Sequence, residues 1–303
     1  MTKHDKLDIL DIKIIGELLD NCRKSDRQIG INHGISGGAI NSRISKLIKN
    51  KIIENFLIRV EPPTLGYGII YFVVSGENIE EIFGQLKIIG DPYLVVPCVG
   101  GITVCGIVVK NDLQEKLELV KKLMKDFRLL SIFEEDTSNS NPQLTKTDIL
   151  VLEKLVKDPK VKIDTISKEL KISTKTIARC IEKMEKNESV LFTLIYNPKK
   201  LEHFISYAVI VNFENNLQKT LNELNRKFCK FYLQKPFIAK NQIVLFLYAD
   251  NIFSMDENTQ EIRRINNVVT ADLFIPKKII FYKEWLEKSI SDLKKSTRLH
   301  LSI

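Results

Sequence analysis

The sequence lacks long apolar runs. No stretch approaches the roughly 20 uninterrupted apolar residues that a membrane-spanning helix needs. The N-terminus, MTKHDKLDILDIK, carries charges where a secretory signal peptide has its apolar core. Hydrophobic residues make up 44% and charged residues 28% of the 303 residues, as in ordinary soluble globular proteins. We therefore expect a cytoplasmic protein that has no membrane segment.

Cysteine and histidine are both scarce. The five cysteines are odd in number and contain no C-x-x-C pair, and the four histidines are scattered without metal-ligand spacing. This pattern excludes a disulfide framework and a zinc finger, and is typical of free, mostly buried thiols in a reducing compartment. The sequence predicts no metal site, no bound cofactor and no catalytic residue. The cysteines are Cys22, Cys98, Cys105, Cys180 and Cys229.

Acidic residues are outnumbered, so the net charge is +8. Residues 1–60 hold 11 Lys/Arg against 7 Asp/Glu, and residues 144–202 hold 13 against 9, so that each segment carries +4. Residues 61–140 hold 7 against 12, a charge of −5, whereas residues 203–303 hold 15 against 10, a charge of +5. Positive charge in two similar segments favours a polyanionic partner such as double-stranded DNA.

The chain contains an internal repeat with an offset of 137 residues. This shift places Asp11 on Asp148, and further identical pairs recur within a stretch of about 70 residues, which indicates a duplication. A polar Ser/Asn/Pro stretch separates the two copies and reads as a linker. The predicted domains are residues 1–62 and 145–200 as DNA-binding heads, 66–136 and 203–303 as the domains that follow them, and 137–144 as the linker.

The first part of each copy has the apolar spacing of short helices. From residue 7 to residue 21 apolar residues recur every three or four positions, and Ser25 and Ser36 are suited to cap a second and a third helix. The third helix carries Ile40 and Ile44 on one face. The stretch IIENFLIRV that follows is expected to form a β-hairpin. Three short helices and a hairpin predict a winged helix-turn-helix.

The second part of each copy alternates strands and helices. In copy one the segments YGIIYFVVS, NIEEIFGQLKII, PYLVVPC, ITVCGIVV, DLQEKLELVKKLMKDF and RLLSIFEE follow the order βαββαβ, and copy two repeats that order. This order predicts a ferredoxin-like sandwich, an antiparallel sheet on two helices. The fold class is therefore α+β, with two winged helix-turn-helix domains alternating with two ferredoxin-like domains. Residues 283–295 add a terminal helix around Trp285.

The third helix of a helix-turn-helix lies in the DNA major groove, where its first residues contact base edges and phosphates. Gly37 and Gly38 remove side-chain bulk where the backbone would meet a phosphate, although small residues at a helix start also serve packing alone. Asn41 is suited to bidentate recognition of adenine. The predicted DNA-binding residues of copy one are Arg27, Ser36, Gly37, Gly38, Asn41, Ser42, Arg43, Ser45 and Lys46.

The matched positions of copy two are more basic. Lys175, Arg179 and Lys183 would share one face suited to phosphates, although a solvated charged face has the same pattern. Because the two faces differ, a shared DNA site should be asymmetric or read mainly by one head. A further interpretation is that the second head has lost DNA binding and serves only as a scaffold or as a contact for other proteins. The predicted DNA-binding residues here are Ser173, Thr174, Lys175, Ala178, Arg179 and Lys183.

Three motifs of copy one resemble the N-terminal part of the Lrp/AsnC (feast/famine) transcription regulators. The motifs are LDILDIKII at the first helix, ISGGAINSRISKL at the recognition helix and PPTLG before the second domain. The resemblance implies a regulator that binds DNA through these heads, with sandwich domains for effector binding and oligomerisation. It rests on Leu7, Asp8, Asp11, Ile14, Ile15, Ile35, Ser36, Ala39, Ile40, Arg43, Ile44, Leu47, Pro62, Leu65 and Gly66.

Two positions depart from the family pattern. Gly37 stands where the family usually has proline. The acidic residues of the family's G-D-x-D stretch near the ligand site are missing, and only Gly100 and Gly101 match it. These two glycines are the candidate effector-binding residues, but we do not expect an amino acid to bind there in the usual way, and a small-molecule effector stays uncertain.

In that family two effector domains pair to set the DNA-reading heads apart. The duplicated chain is therefore expected to self-associate through its ferredoxin-like domains, as an internal pseudo-dimer or as a homodimer. Siroheme decarboxylases share the fold and also occur as tandem units, so a tetrapyrrole enzyme is the alternative. That chemistry would need His, Arg and Tyr together, but His203 and Tyr207 are followed by no His–Arg cluster. The sequence favours a regulator that is not an enzyme.

Overall fold

The computed structural model describes residues 6–76, 78–125, 127–134, 144–239 and 241–299. Over these residues the chain has an α+β fold in which the same order of elements occurs twice. The linker predicted at residues 137–144 lies, apart from Leu144, outside the described residues.

Copy one consists of a first head and a first sandwich. The first head contains α1 (Ile9–Asp20), α2 (Asp26–His33), α3 (Gly37–Lys49) and β1 (Ile53–Val60). The first sandwich contains β2 (Gly68–Ser75), α4 (Ile79–Ile89), β3 (Asp91–Cys98), β4 (Ile102–Val109), α5 (Leu113–Leu123) and β5 (Leu129–Glu134).

Copy two repeats this order and adds a C-terminal segment. The second head contains α6 (Lys146–Lys157), α7 (Ile163–Leu170), α8 (Thr174–Lys186) and β6 (Val190–Tyr196). The second sandwich contains β7 (Ile205–Phe213), α9 (Leu217–Phe228), β8 (Tyr232–Ala239), β9 (Gln242–Ala249), α10 (Ile252–Arg263) and β10 (Val268–Phe274). The C-terminal segment contains β11 (Ile280–Phe281) and α11 (Glu284–Leu299).

Local polar chemistry fixes where the head helices begin. Asp8 and Ser25 each form a capping box at the start of α1 and α2, and Ser36 accepts a hydrogen bond from the Ala39 N–H at the start of α3. These bonds satisfy N–H groups that have no partner inside the helix. The caps predicted at Ser25 and Ser36 are confirmed.

The prediction of a β-hairpin in the first head is wrong. The segment forms one strand, β1, which pairs antiparallel with β6 of the second head to make a two-stranded sheet. The stretch contains no Asn-Gly or Asp-Gly turn that would reverse it, so its ladder partner comes from the other copy. Each head thus completes its sheet with the strand of the other head.

The β1–β6 ladder is symmetric with respect to the repeat. The 137-residue shift makes Phe56 equivalent to Thr193 and Leu57 equivalent to Leu194. In the ladder Phe56 lies opposite Leu194, and Leu57 lies opposite Thr193. Exchange of the two copies therefore maps the ladder onto itself. A local pseudo-two-fold axis therefore passes through the centre of the ladder, between the Phe56–Leu194 pair and the Leu57–Thr193 pair.

Both sandwiches have the predicted ferredoxin-like topology. The strand order is β5-β2-β4-β3 in the first sheet and β10-β7-β9-β8 in the second, and all the strand pairs are antiparallel. The sequence did not predict β11, which adds a fifth strand beside β3. The two sheets share an apolar cluster that includes Val73, Ile210 and Val244, so that they pack against each other within one chain.

The heads dock on the opposite sandwiches in two different ways. In the first head α1 packs directly on β8, because Gly16 leaves room: a Cβ there would lie 3.1 Å from the Leu233 carbonyl oxygen. The equivalent residue in the second head is Glu153, whose carboxylate binds Lys294 of α11 at 2.8 Å. The C-terminal helix therefore occupies the space between the second head and β3.

Trp285 anchors that C-terminal helix. Its side chain is 3% exposed and its ring makes edge contacts with Tyr67 at 5.7 Å and Tyr93 at 6.0 Å between centroids. It belongs to the same apolar cluster as Ile149 and Leu152 of the second head. The terminal helix predicted around Trp285 is confirmed, and it links the second head to the first sandwich.

Candidate nucleic-acid interface

The face of α3 that the sequence assigns to DNA is exposed. Ile40, Ile44 and Leu47 are buried in the first head, which turns the opposite face outward. Its exposed polar residues Asn41, Ser42 and Ser45 are short and uncharged, so that the backbone at the start of the helix stays accessible. Of the predicted residues Arg27, Ser36, Gly38, Asn41, Ser42 and Ser45 are exposed, while Gly37, Arg43 and Lys46 are half-buried.

The two glycines at the start of α3 have different surroundings. A Cβ on Gly37 would lie 3.2 Å from the backbone nitrogen of Arg27 and 3.3 Å from its Cα. Gly37 therefore lets α3 start close against α2, which is the packing role. A Cβ on Gly38 would meet only the Ser36 Oγ, at 3.9 Å. Only Gly38 lies open to an approaching molecule.

Asn41 makes one hydrogen bond to a neighbouring helix. Its Nδ2 donates to the Asp26 Oδ2 at 2.8 Å, and both groups are at the surface of the first head. This bond orients the amide at the exposed face of α3. A base that binds Asn41 must replace or tolerate the Asp26 carboxylate, whose charge would also repel a nearby phosphate.

Arg43 is engaged inside the first head. Its Nη1 lies 2.9 Å from the Asp8 Oδ2 and 2.7 Å from the Oδ1 of Asp11, a residue that is 3% exposed. Burial alone lowers the pKa of Arg43, but the two carboxylates outweigh it and raise the pKa above its usual value. The side chain joins α3 to the start of α1, which is a structural role that the sequence prediction did not assign.

The second head makes the equivalent ion pair with a different residue. Cys180 occupies the position of Arg43, and Lys183, almost one turn later, reaches the Asp148 Oδ2 at 2.6 Å. The Asp148 side chain is 2% exposed. Burial alone would raise the pKa of Asp148, but hydrogen bonds from Lys183 and Thr145 hold this pKa below its usual value. Lys183 is thus tied to the core, unlike its predicted role.

The outward face of α8 keeps two exposed cations. Lys175 and Arg179 are exposed, and among the described residues neither has an ion-pair partner within 4.0 Å. Ser173 caps the helix by accepting from the Thr176 N–H. Thr174 is exposed and Ala178 is half-buried. This face is basic where the equivalent face of α3 is neutral and polar.

Direct hydrogen bonds fix the two heads to each other. The Arg23 Nη1 donates to the carbonyl oxygens of Pro159 at 2.6 Å and Val161 at 3.0 Å. The Asn21 Nδ2 donates to the Glu185 Oε1 at 2.8 Å. Sequence reasoning missed these residues, because their partners lie in the other copy and no local pattern marks them. With the shared β1–β6 sheet, they set the orientation of α3 relative to α8.

The remaining candidate residues do not come together. Gly100 and Gly101 occupy the turn between β3 and β4 in the left-handed region, with φ of 84° and 71°, which suits glycine. His203 is exposed, whereas Tyr207 is 2% exposed and its hydroxyl accepts from the Asn258 Nδ2 at 3.2 Å. Burial raises the pKa of Tyr207 to about 12. The described part of the chain contains no group of three His, Cys, Asp or Glu that could hold a metal ion.

The described cysteines form no disulfide. Cys22, Cys98, Cys105 and Cys180 are buried and Cys229 is exposed, and all five are free. Burial raises the pKa of the Cys22 thiol to about 11, so it stays protonated at neutral pH. Within the residues that the structure describes, no helix is long and apolar enough to cross a membrane.

A cavity of about 170 Å³ lies where the shared head sheet meets both sandwiches. Its lining is apolar and aromatic, except for a few polar side chains that include Arg59 on β1 and Gln234 on β8. The sequence analysis assigned no role to these residues. Side chains alternate between the two faces of a strand, so the sequence places Arg59 on the same face of β1 as Leu57 and on the opposite face from Ile58. This alternation was the one sequence feature that could have indicated the position of Arg59.

Residues 7–48 match the AsnC-type helix-turn-helix domain. The HTH-type transcriptional regulator Ptr1 of Methanocaldococcus jannaschii is 34% identical over 84 residues, which cover 27% of this chain and 57% of that protein. An uncharacterised HTH-type transcriptional regulator of Pyrococcus abyssi is 35% identical over 79 residues, 25% of this chain and 54% of that protein. The chain thus spans about half the length of the curated relatives it matches.

Two solved structures are similar to this chain at low sequence identity. The crystal structure of the siroheme decarboxylase NirDL has a TM-score of 0.48 at 12% identity, covering 94% of this chain and 99% of that chain. The AsnC family transcriptional regulator of Agrobacterium tumefaciens has a TM-score of 0.30 at 16% identity, covering 42% of this chain and 88% of that chain.

Proposed function

We propose that this chain is a sequence-specific DNA-binding transcription regulator of the Lrp/AsnC type, because residues 7–48 match the AsnC-type helix-turn-helix domain and the same order of elements occurs twice in the chain. Its two heads present α3 and α8 to duplex DNA. A regulator of this kind acts on the chromosome, so a cytoplasmic location is expected.

One observation carries this proposal. An AsnC-type helix-turn-helix turns the start of its third helix outward, with exposed Gly38, Asn41, Ser42 and Ser45. The N–H groups at a helix start bind phosphates, and short polar side chains leave room for the duplex to reach them. Asn41 supplies donor and acceptor atoms for an adenine edge. The first head is therefore the one that reads sequence.

The second head contributes mainly electrostatic affinity in this proposal. Lys175 and Arg179 present two cations on the N-terminal half of α8, where they are suited to phosphate oxygens. The internal pairing of the two copies supplies the geometry of a dimer, and heads about 34 Å apart would reach successive major grooves. The two half-sites of the operator should accordingly differ in sequence.

Selection of bound fragments from random duplex DNA tests the proposal. We expect one enriched half-site and a second, weakly specified contact region at a constant distance. Asn41→Ala should cost about 1–3 kcal/mol on the selected site and leave binding to random duplex nearly unchanged. Asn50→Ala, at the far end of α3, is the matched control. An unenriched pool would contradict the proposal.

The role of the second head is tested separately. The double variant Lys175→Gln/Arg179→Gln should lower the slope of log affinity against log salt concentration by about 0.9 for each lost phosphate contact. Lys183 is left intact because it neutralises buried Asp148. Lys186→Gln, near the end of the same helix, should leave the slope unchanged. An unchanged slope in the double variant would mean that the second head acts only as a scaffold.

The tetrapyrrole-enzyme alternative makes an opposite prediction. It requires a histidine beside the reacting group, but His203 is exposed and Tyr207 lies in the second sandwich. The central cavity of about 170 Å³ is also smaller than the roughly 300–1,000 Å³ pockets that hold drug-sized ligands, so it is too small for the four rings of a tetrapyrrole. Under our proposal siroheme causes no saturable absorbance change when it is titrated with the protein.

A further inference from the structure

The central cavity has the features of a small-molecule site. Its walls come from the first head, from β6 of the second head and from the facing sheets of both sandwiches. Tyr71 is the centre of an aromatic cluster on one wall, stacked on Phe133 at 5.4 Å and in edge contact with Phe237 at 5.5 Å between centroids. A planar ring could extend this cluster into the cavity.

The size of the cavity limits the ligand to a single ring. Its volume is about 170 Å³, close to the roughly 150 Å³ of an apolar cavity that stays dry and binds benzene. A bicyclic or larger molecule would have to displace the walls. An aliphatic chain would fill the volume but would not match the aromatic faces of Tyr71 and Phe133.

Arg59 supplies the one charged group of the lining. Its Nε and Nη2 bind the Glu61 Oε1 at 2.9 and 2.8 Å, which leaves further N–H donors of the planar guanidinium. Burial alone lowers the pKa of Arg59, but the Glu61 carboxylate outweighs it and the pKa lies above its usual value. Arg59 is therefore a permanent cation beside an apolar cavity.

We propose that the cavity binds a benzene-sized aromatic compound that carries a hydrogen-bond-accepting group, with the ring beside Tyr71 and the acceptor on Arg59. A carboxylate suits this position best, because charge-assisted hydrogen bonds to a guanidinium are stronger than neutral ones. The inference does not depend on the DNA-binding proposal, because neither the site nor its test involves DNA.

The test uses benzoate as the probe with the full-length protein. We expect saturable binding by isothermal calorimetry and a rise in Tm with benzoate concentration. Acetate, which has the acceptor but no ring, and benzylamine, which has the ring but a cation, should not bind saturably. If benzoate does not bind saturably, or if all three compounds bind equally, the proposal is overturned.

Two variants locate the bound probe. Val96→Phe fills the cavity and should weaken benzoate binding by at least about tenfold, whereas Val99→Phe, an exposed position beyond the same strand, should not. If Val96→Phe does not fold, the double variant Arg59→Gln/Glu61→Gln removes both charges together and should weaken benzoate binding about tenfold. Unchanged affinity in the folded variants would place benzoate elsewhere and overturn the proposal.

Discussion

Gly37 and Gly38 stand side by side in the sequence, but their surroundings differ. Gly37 packs against the backbone at the start of α2, and Gly38 faces outward. Sequence reasoning treated the two residues alike, because both lack a side chain and both precede the same helix. Only the distances from the missing Cβ to neighbouring atoms separate the packing role of Gly37 from the proposed binding role of Gly38.

Alanine at each position should therefore have a different effect. Gly37→Ala should lower the free energy of unfolding by about 1–2 kcal/mol, because its Cβ is too close to Arg27. Gly38→Ala should raise it by up to about 1 kcal/mol, since alanine favours the helix, while weakening DNA binding. Urea denaturation and DNA titration of both variants check this. Equal stability losses would contradict the assignment.

The buried carboxylate of Asp148 makes the second head sensitive to acid. Its pKa in the folded protein lies below the usual value of 3.8. The ionised group therefore stabilises the fold above that value, and its contribution is lost as the pH falls through the folded-state pKa. We expect the free energy of unfolding to fall with the pH below 3.8, and Asp148→Asn to reduce this dependence.

Lys183→Gln tests the partner of this carboxylate. It should cost about 1–3 kcal/mol at neutral pH, because buried Asp148 then loses its cation and keeps only the neutral donors of Thr145 and Cys180. The acid unfolding midpoint should move to higher pH. Lys175→Gln on the same helix, which does not contact Asp148, is the control. Identical acid midpoints for Lys183→Gln and Lys175→Gln would show that the pair does not stabilise the fold.

Local sequence patterns predict where helices begin, but they do not predict which strands pair. Ser25 and Ser36 mark helix starts by chemistry that acts within three residues. The partner of β1 is β6, far away in the chain, and nothing in IIENFLIRV specifies it. The ladder exists because both copies carry the same unpaired strand, which a local pattern cannot express.

Arg23 joins the first head to the second head through hydrogen bonds to its backbone. Arg23→Ala removes two hydrogen bonds to the α6–α7 loop and the contact of its guanidinium with the Phe192 ring at 5.3 Å. The cost should be about 1–3 kcal/mol of unfolding free energy.

The same change should relax the spacing between the heads. Arg23→Ala should bind operators whose half-sites are one base pair closer or farther apart with less discrimination than the wild type. Lys24→Ala is the matched control, since Lys24 pairs with Glu17 and Asp20 inside the first head. If both variants discriminate spacing like the wild type, the Arg23 contacts do not set the head geometry.

The C-terminal segment, β11 and α11, makes the two halves of the molecule unequal. Trp285→Ala should cost about 3–5 kcal/mol of unfolding free energy, because it empties a buried site between Tyr67 and Tyr93. Urea unfolding at 25 °C measures this loss, and thermal unfolding measures the accompanying fall in Tm. A loss below about 1 kcal/mol would contradict the anchoring role of Trp285.

The fold class was predictable because the repeat and the βαββαβ order are visible in the chain. The asymmetry between the two halves was not predicted. Gly16 and Glu153 occupy equivalent positions, and the presence of a side chain there decides whether a head contacts the opposite sandwich directly or through α11. The ion pairs of Arg43 and Lys183 with buried carboxylates were not predicted either. A carboxylate and a cation far apart in sequence identify each other only after the helices pack.

Pairing of β1 with β6 inside a single polypeptide keeps the two heads together at any protein concentration. A regulator assembled from two separate subunits loses its paired form on dilution, so its occupancy of an operator falls more steeply than its total amount. Here the two heads are covalently joined and cannot dissociate from each other. Under the proposed function, occupancy of an operator by the paired heads should follow the first power of protein concentration.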